Sequence, residues 1–191
     1  MELAPIVLFT YCRPLHTRKT VSALQNNLLA SNSDLIIYSD APHNQDMQGI
    51  VDEVRAYLAT IIGFRSVSVR HRTHNFGLAR SIIEGVSEVL RFSDRVIVVE
   101  DDLVTSPYFL TYMNEALERY ALDDRVASIH GYVYPCFQSL PKTFFLRGAD
   151  CWGWSTWRRA WAYFNPDGQH LLEELRRRKL LLRDARLRQQ R

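Results

Sequence analysis

The chain alternates short runs of branched apolar residues with stretches in which apolar positions recur every three or four residues. Ile6 to Tyr11 reads as a buried strand, and after Pro14 the residues Val21, Leu24 and Leu28 keep helical spacing towards Leu29. A second strand is predicted over Asp34 to Ser39. It is followed by a helix from about Met47 to Ile61, with Ile50, Val54 and Leu58 on one face, and by a half-exposed strand over Ser66 to His71. Asn75 and Gly77 open a helix whose apolar residues Leu78, Ile82, Val86, Val89 and Leu90 repeat with a period near 3.6. Arg95 to Val99 is the most continuous β-branched run, the mark of a central strand covered on both faces, and it stops at Glu100. Ser106-Pro107 predicts the N-cap and first residue of a helix reaching about Leu122. Two further strands are predicted over Val126 to His130 and Thr143 to Arg147, and an aromatic amphipathic helix over Trp154 to Phe164.

Strands that alternate with helices imply an α/β fold with a mostly parallel central sheet flanked by crossover helices. In such sheets ligands sit beyond the carboxyl ends of the strands. That rule selects Tyr11 to Arg13, Ser39-Asp40, the His71 to Asn75 segment and Glu100 to Asp102 as site candidates.

Length and composition narrow the picture. With 191 residues and 47% hydrophobic content the chain closes one sizeable core, here assigned to residues 1–165, with residues 166–191 as a basic C-terminal helix or shortened acceptor-binding region. The net charge of +3 comes from the stretch Arg176 to Arg191, and the body before it is neutral to acidic. A dedicated nucleic-acid binder, with a basic stripe across its folded surface, is therefore excluded. Cys12, Cys136 and Cys151 form no CxxC pair or zinc spacing, which suits a reducing compartment. The N-terminus lacks a basic leader and no apolar run approaches the roughly 18 residues of a membrane span. A cytoplasmic protein is the expectation. The Leu- and Arg-rich stretch Leu175 to Arg191 reads either as a peripheral contact to anionic lipid or as a solvated terminal helix.

Three consecutive carboxylates, Glu100-Asp101-Asp102, at the end of a covered strand repel one another unless a cation or hydrogen-bond donors compensate. A magnesium or manganese ion is the simplest compensation, because hard cations take carboxylate oxygens and keep positions for phosphate oxygens. The competing reading is a solvated acidic turn before the next helix.

The stretch from Val96 to Phe109 resembles the variant DxD region of GT-A glycosyltransferases, and most closely that of the N-acetylglucosaminyltransferase I family and related bacterial sugar transferases. Cys12-Arg13-Pro14, Tyr38-Ser39-Asp40, Asn75-Phe76-Gly77-Leu78-Ala79 and Gly148-Ala149-Asp150-Cys151-Trp152-Gly153-Trp154 extend the resemblance over most of the chain from Ile6 to about Phe164. It implies a Rossmann-like GT-A fold and a hexosyltransferase of GlcNAc-transferase type, moving a sugar from a UDP donor to an acceptor hydroxyl of a glycan or lipid-linked glycan with inversion. The alternative is a shortened relative that binds nucleotide sugar without turnover. A phosphatase with Asp101 or Asp102 as nucleophile is a third reading.

By the resemblance, Asp102 holds Mn2+ or Mg2+ while Asp101 and Glu100 contact ribose and donor sugar, and Arg13 meets the diphosphate. Arg13 also reads as an exposed residue before the Pro14 turn. Asp40 matches the acid that accepts the uracil N3–H, and reads equally as an Asx-turn former. His74 and Arg80 flank a helix N-terminus suited to phosphate, or are cap and surface residues. Asp150 with Trp152 and Trp154 lines the acceptor side, although Trp154, Trp157 and Trp161 also keep the spacing of a packed helical stripe. The general base falls at Glu173 or Glu174, which also fit the polar face of a charged helix, with Asp150 as a second candidate.

Overall fold

The structure is a computed structural model that describes residues 2–137 and 139–178. The chain divides into two units, Met1–Trp161 and Ala162–Arg191. The first contains β1 (Ile6–Thr10), α1 (Pro14–Gln25), β2 (Asp34–Ser39), α2 (Gln48–Leu58), β3 (Ser66–His71) and α3 (Leu78–Val89). It continues with β4 (Arg95–Glu100), α4 (Phe109–Arg119), β5 (Ser128–His130), β6 (Trp154–Trp157) and α5 (Arg158–Trp161). The second contains α6 (Gly168–Arg177), and the rest of the Leu- and Arg-rich stretch, past Arg178, lies outside the described residues. Among the described residues no helix is long and apolar enough to cross a membrane.

The strands form one sheet in the order β3-β2-β1-β4-β6-β5, with β3, β2, β1 and β4 parallel and β6 antiparallel to both its neighbours. The unbroken apolar runs of β1, β2 and β4 follow from cover on both faces. Alternate side chains sort to opposite sides. Ile6, Leu8, Leu35, Ile37, Ile97 and Val99 pack with α1, α2 and α4 through Val21, Leu24, Val54, Leu58, Leu110 and Met113. Val7, Phe9, Ile36, Tyr38, Val96 and Val98 pack with α3 through Val86 and Val89. The register sets Phe9 beside Glu100 and Thr10 beside Ser39, so the carboxyl ends of β1, β2 and β4 lie level along one edge.

Three expectations are corrected. Trp154 to Phe164 is not one helix: Trp154–Trp157 is β6, and only Arg158–Trp161 is helical. The edge of β4 needs a hydrogen-bonding partner, and β6 supplies it with Trp154 opposite Val98, a requirement that overrides the helical spacing of the tryptophans. Extended geometry then sends Trp154 into the α3 side, stacked on Trp161 with centroids 6.0 Å apart, and Trp157 into the opposite core, where its Nε1 donates to the Leu117 carbonyl at 3.1 Å. Thr143 to Arg147 is irregular and exposed, because its consecutive apolar residues neither alternate nor meet a partner strand. The fourth helix begins at Phe109, not at Pro107. Its first-turn Leu110 N–H is capped by the Asn27 Oδ1 at 2.9 Å, a partner 83 residues away that local capping signals do not reveal.

Gly85 of α3 lies against the sheet so closely that a Cβ there would sit 2.7 Å from the Phe9 ring and 3.0 Å from the Tyr38 ring. Gly85→Ala gains about 1 kcal/mol in helix propensity but overpacks a buried aromatic pair, which costs about 1–3 kcal/mol. We expect a net loss of up to about 2 kcal/mol in urea unfolding, with an unchanged m-value. A stabilising result would show that the helix shifts freely over the sheet.

Candidate active site

The end of β1 and the end of β4 are joined by one ion-pair network. Arg13 follows β1 at the turn into α1, and its carbonyl accepts from the Thr17 N–H and hydroxyl, both at 2.9 Å. This fixes the backbone from which the guanidinium reaches across. Its Nη2 meets the Asp101 Oδ1 at 2.6 Å and its Nη1 the Asp102 Oδ2 at 2.9 Å, while the Tyr11 N–H donates to the other Asp101 oxygen at 3.3 Å. The Asp101 side chain is 3% exposed and that of Asp102 41% exposed.

The charges do not balance. Burial raises the Asp101 pKa in spite of Arg13, and burial followed by the charges of Asp102 and Asp101 raises Glu100. Burial opposes the charge on Arg13, but the pull of Asp101 and then Asp102 outweighs it and raises its pKa. One guanidinium therefore faces three acids. The compensating cation that sequence reasoning assigned to a metal is supplied in part by the chain itself. The surplus acidity still fits a divalent ion, since Mg2+ needs only one or two carboxylates when substrate phosphates complete its shell. Among the described residues no group of three or more His, Cys, Asp or Glu side chains is gathered for metal binding.

The wall beyond β2 is built around Asp40. Its Oδ1 accepts from the Ala41 and Phe76 N–H groups and its Oδ2 from the Gly77 N–H, each at 2.9 Å. Asp40 thus acts as a latch that ties the segment before α3 to the end of β2. Gly77 has φ +71°, a backbone that lets its N–H turn towards the carboxylate and that L side chains rarely adopt. Asn75 Nδ2 reinforces the latch by donating to the Ala41 carbonyl at 2.7 Å.

A cleft of about 640 Å³ opens beside this latch, lined by Arg55, Arg72, His43, His71 and His74 and by no acid. Arg55 donates to the carbonyls of Asp40 and Arg72 at 3.2 and 3.1 Å. Arg72 lies between the Tyr38 and Phe76 rings, at 4.7 and 4.6 Å, and its buried Nε and Nη2 have no hydrogen-bond partner among the described residues. Burial and then Arg55 lower the His71 pKa. Of the predicted pair, His74 packs on Phe76 with centroids 4.6 Å apart, and exposed Arg80 stacks over the same ring at 4.2 Å while pairing with Glu84. Tyr11 joins the two halves of the site, with its N–H on Asp101 and its hydroxyl accepting from the His43 N–H at 2.9 Å.

The third wall is the loop between β5 and β6. Gly131 N donates to the Gly153 carbonyl at 2.7 Å, and Asp150 N donates to the His130 ring at 3.2 Å, which closes the base of the loop. Cys151 is pushed up by burial and then by the charges of Glu100, Asp150 and Asp102, so the loop lies within electrostatic reach of the acidic triplet.

The sequence pattern of glycosyl transferase family 2 matches residues 6–177. The chain belongs to glycosyl transferase family 2. No curated protein matches it. Among solved structures, a protein from Desulfovibrio desulfuricans assigned as a nucleotide-diphospho-sugar transferase is 13% identical, with a TM-score of 0.50 over 93% of this chain and 77% of that one. The mannosyltransferase PcManGT from Pyrobaculum calidifontis, solved with GDP-Man and Mn2+, is 14% identical with a TM-score of 0.48 over 67% of this chain and 35% of that one. S. aureus TarS is 12% identical with a TM-score of 0.46 over 82% of this chain and 47% of that one. The chain thus spans a third to a half of the length of the latter two. The family match and the Desulfovibrio likeness place it in the GT-A fold.

In this family 2 domain the structure brings Arg13, Glu100, Asp101 and Asp102 together, and Cys151, next to Asp150 in the chain, feels the charges of Glu100 and Asp102. Trp152 lies exposed on the loop, whereas Trp154 is packed into the sheet. Glu173 and Glu174 lie on α6 of the second unit, where Arg177 and Arg178 hold Glu174 at 2.7 and 2.8 Å; the Arg177 hydrogen bond foremost lowers its pKa. Arg55 escaped sequence reasoning, and Arg72 was reached only as part of the His71 to Asn75 segment. Arg55 is a lone cation beside the apolar helix positions Val54 and Leu58, and Arg72 directly follows a predicted strand end.

Asp40→Ala strips three backbone donors of their acceptor, at about 1–3 kcal/mol for each that stays dry. We expect at least about 2 kcal/mol lost in urea unfolding, with faster amide exchange at Phe76 and Gly77. Unchanged exchange would show that the latch is dispensable. The raised Glu100 makes the folded state bind more protons than the unfolded state between its ordinary and folded pKa, so its ionisation lowers stability as pH rises through that window. Glu100→Gln should therefore be more stable than wild type at neutral pH without divalent cations, and the difference should vanish in acid. An equal difference at both pH values would refute the assignment.

Proposed function

We propose that this family 2 domain transfers a sugar from a UDP donor to an acceptor hydroxyl on a glycan or lipid-linked glycan, with inversion. The reading is carried by the Arg13 bridge to Asp101 and Asp102 at the level ends of β1 and β4. A diphosphate brought to unneutralised acids would meet about 4 kcal/mol of repulsion per charge pair at 4 Å in a medium of effective dielectric about 20. Arg13 removes part of that cost and offers a planar fork for two phosphate oxygens.

Asp102, the most exposed of the ion-paired acids, would hold Mn2+ or Mg2+, with Glu100 and Asp101 turned to ribose and sugar. When bound, the ion supplies Lewis-acid neutralisation of the departing diphosphate. The nucleotide base would enter the cleft walled by Arg55, Arg72 and the Asp40 latch, whose cationic lining suits acceptor-rich groups. Asp150 is the favoured base for the attacking hydroxyl, because its neighbour Cys151 lies within the field of Glu100 and Asp102, while Glu174 is held by two arginines. Likeness to the N-acetylglucosaminyltransferase I family favours GlcNAc as the sugar. An aspartyl-phosphate mechanism fits less well, since Asp101 is buried and both aspartates are ion-paired.

Titration of UDP with and without Mn2+ tests the reading. We expect binding that depends on the metal and weakens about tenfold or more in Asp102→Ala, a loss of at least about 1.4 kcal/mol. Binding indifferent to both would remove the acidic triplet from the donor site. UDP released from a UDP-sugar separates a working enzyme from a relative that only binds.

A further inference from the structure

Tyr132, Tyr134 and Trp152 come from two segments some twenty residues apart and gather into one cluster. The ring centroids lie 4.8 Å apart for Tyr132 and Trp152, 5.2 Å for the two tyrosines and 5.5 Å for Tyr134 and Trp152. Rings that meet in a core lose nearly all their exposure. These remain 41%, 60% and 43% exposed, so they hold one another in place and still present aromatic surface to solvent. The loop that carries them is closed at its base by the Gly131 and Asp150 hydrogen bonds, and the Trp152 N–H donates to the Asp150 Oδ1 at 3.2 Å. Desolvation and then the Asp150 charge raise Tyr134.

Resting on the transferase reading above, we propose that Tyr132, Tyr134 and Trp152 form a platform on which a pyranose ring of the acceptor stacks, with Asp150 at its edge. A pyranose presents an apolar face of C–H bonds and a rim of hydroxyls. Aromatic faces beside a carboxylate and two phenols complement both features at once. The same acids disfavour an anionic lipid surface: Asp150, Glu100 and Asp102 all act on neighbouring Cys151, and their field repels phosphate headgroups. The acceptor class is therefore a sugar, placed next to the group proposed to take its proton.

Saturation-transfer NMR with methyl β-D-glucopyranoside, methyl β-D-galactopyranoside and methyl N-acetyl-β-D-glucosaminide tests this on the full chain. At least one glycoside should receive saturation on the C–H protons of one ring face. The effect should fall about three- to tenfold in Trp152→Ala and persist within about twofold in Trp152→Phe. UDP titration with Mn2+ is run on the same proteins and should be unchanged in Trp152→Ala. Glycoside binding without UDP binding would sink the donor reading and leave the platform standing. Absence of transfer to all three glycosides, or equal transfer in Trp152→Ala, overturns the platform. Trp152-dependent binding to phosphatidylglycerol vesicles without glycoside binding overturns it in favour of a membrane contact.

Discussion

A carboxylate sunk almost out of reach of solvent beside two further acids persists only with a cation against it. Here that cation is Arg13, and the ion pair with Asp101 ties the end of β1 to the end of β4. Burial alone would drive the proton back onto Asp101, and its raised pKa shows that the penalty is only partly offset. The site is consequently pre-assembled but electrostatically unfinished, with surplus negative charge. That is the state in which a divalent ion and an anionic ligand enter together at lower cost than either alone.

The opposite field lies a short distance along the same sheet edge. Arg55, Arg72 and three histidines line the cleft beyond β2 and β3, and Tyr11 bridges the two regions through its backbone and its hydroxyl. Under the proposed function, such separation would give an extended ligand a direction, with its metal-bound part at the acids and its acceptor-rich part at the arginines. The latch at Asp40 contributes by fixing the backbone between them, a role that depends on three N–H donors converging on one carboxylate.

The loop from Gly131 to Gly153 shows how the sheet positions chemistry that it does not itself contain. β6 pairs with β4 because the edge of β4 needs a partner, and this brings Gly153 and the residues before it to the end of the strand that carries Glu100. Trp154 and Trp157 then anchor opposite sides of the sheet, which leaves Trp152, two residues upstream, to stand outside the core.

Local pattern determined most of the scaffold. Continuous β-branched runs, helical spacing and the alternation of strand with helix were sufficient for the four parallel strands and their crossovers, because each signal is carried by neighbours in sequence and by the burial it implies. The rule that ligands sit at strand ends then picked out Arg13, Asp40 and Glu100-Asp101-Asp102 as site positions. What the chain by itself left open were interactions between distant residues. Which backbone groups hold Asp40, which cation faces Asp101, what caps the fourth helix and where the tryptophans point are each set by partners about 36 to 88 residues away. Hydrogen bonds and ion pairs of that kind act through space, so no window of sequence contains them. Only the closed sheet, by setting its strand ends level, decides which charges meet.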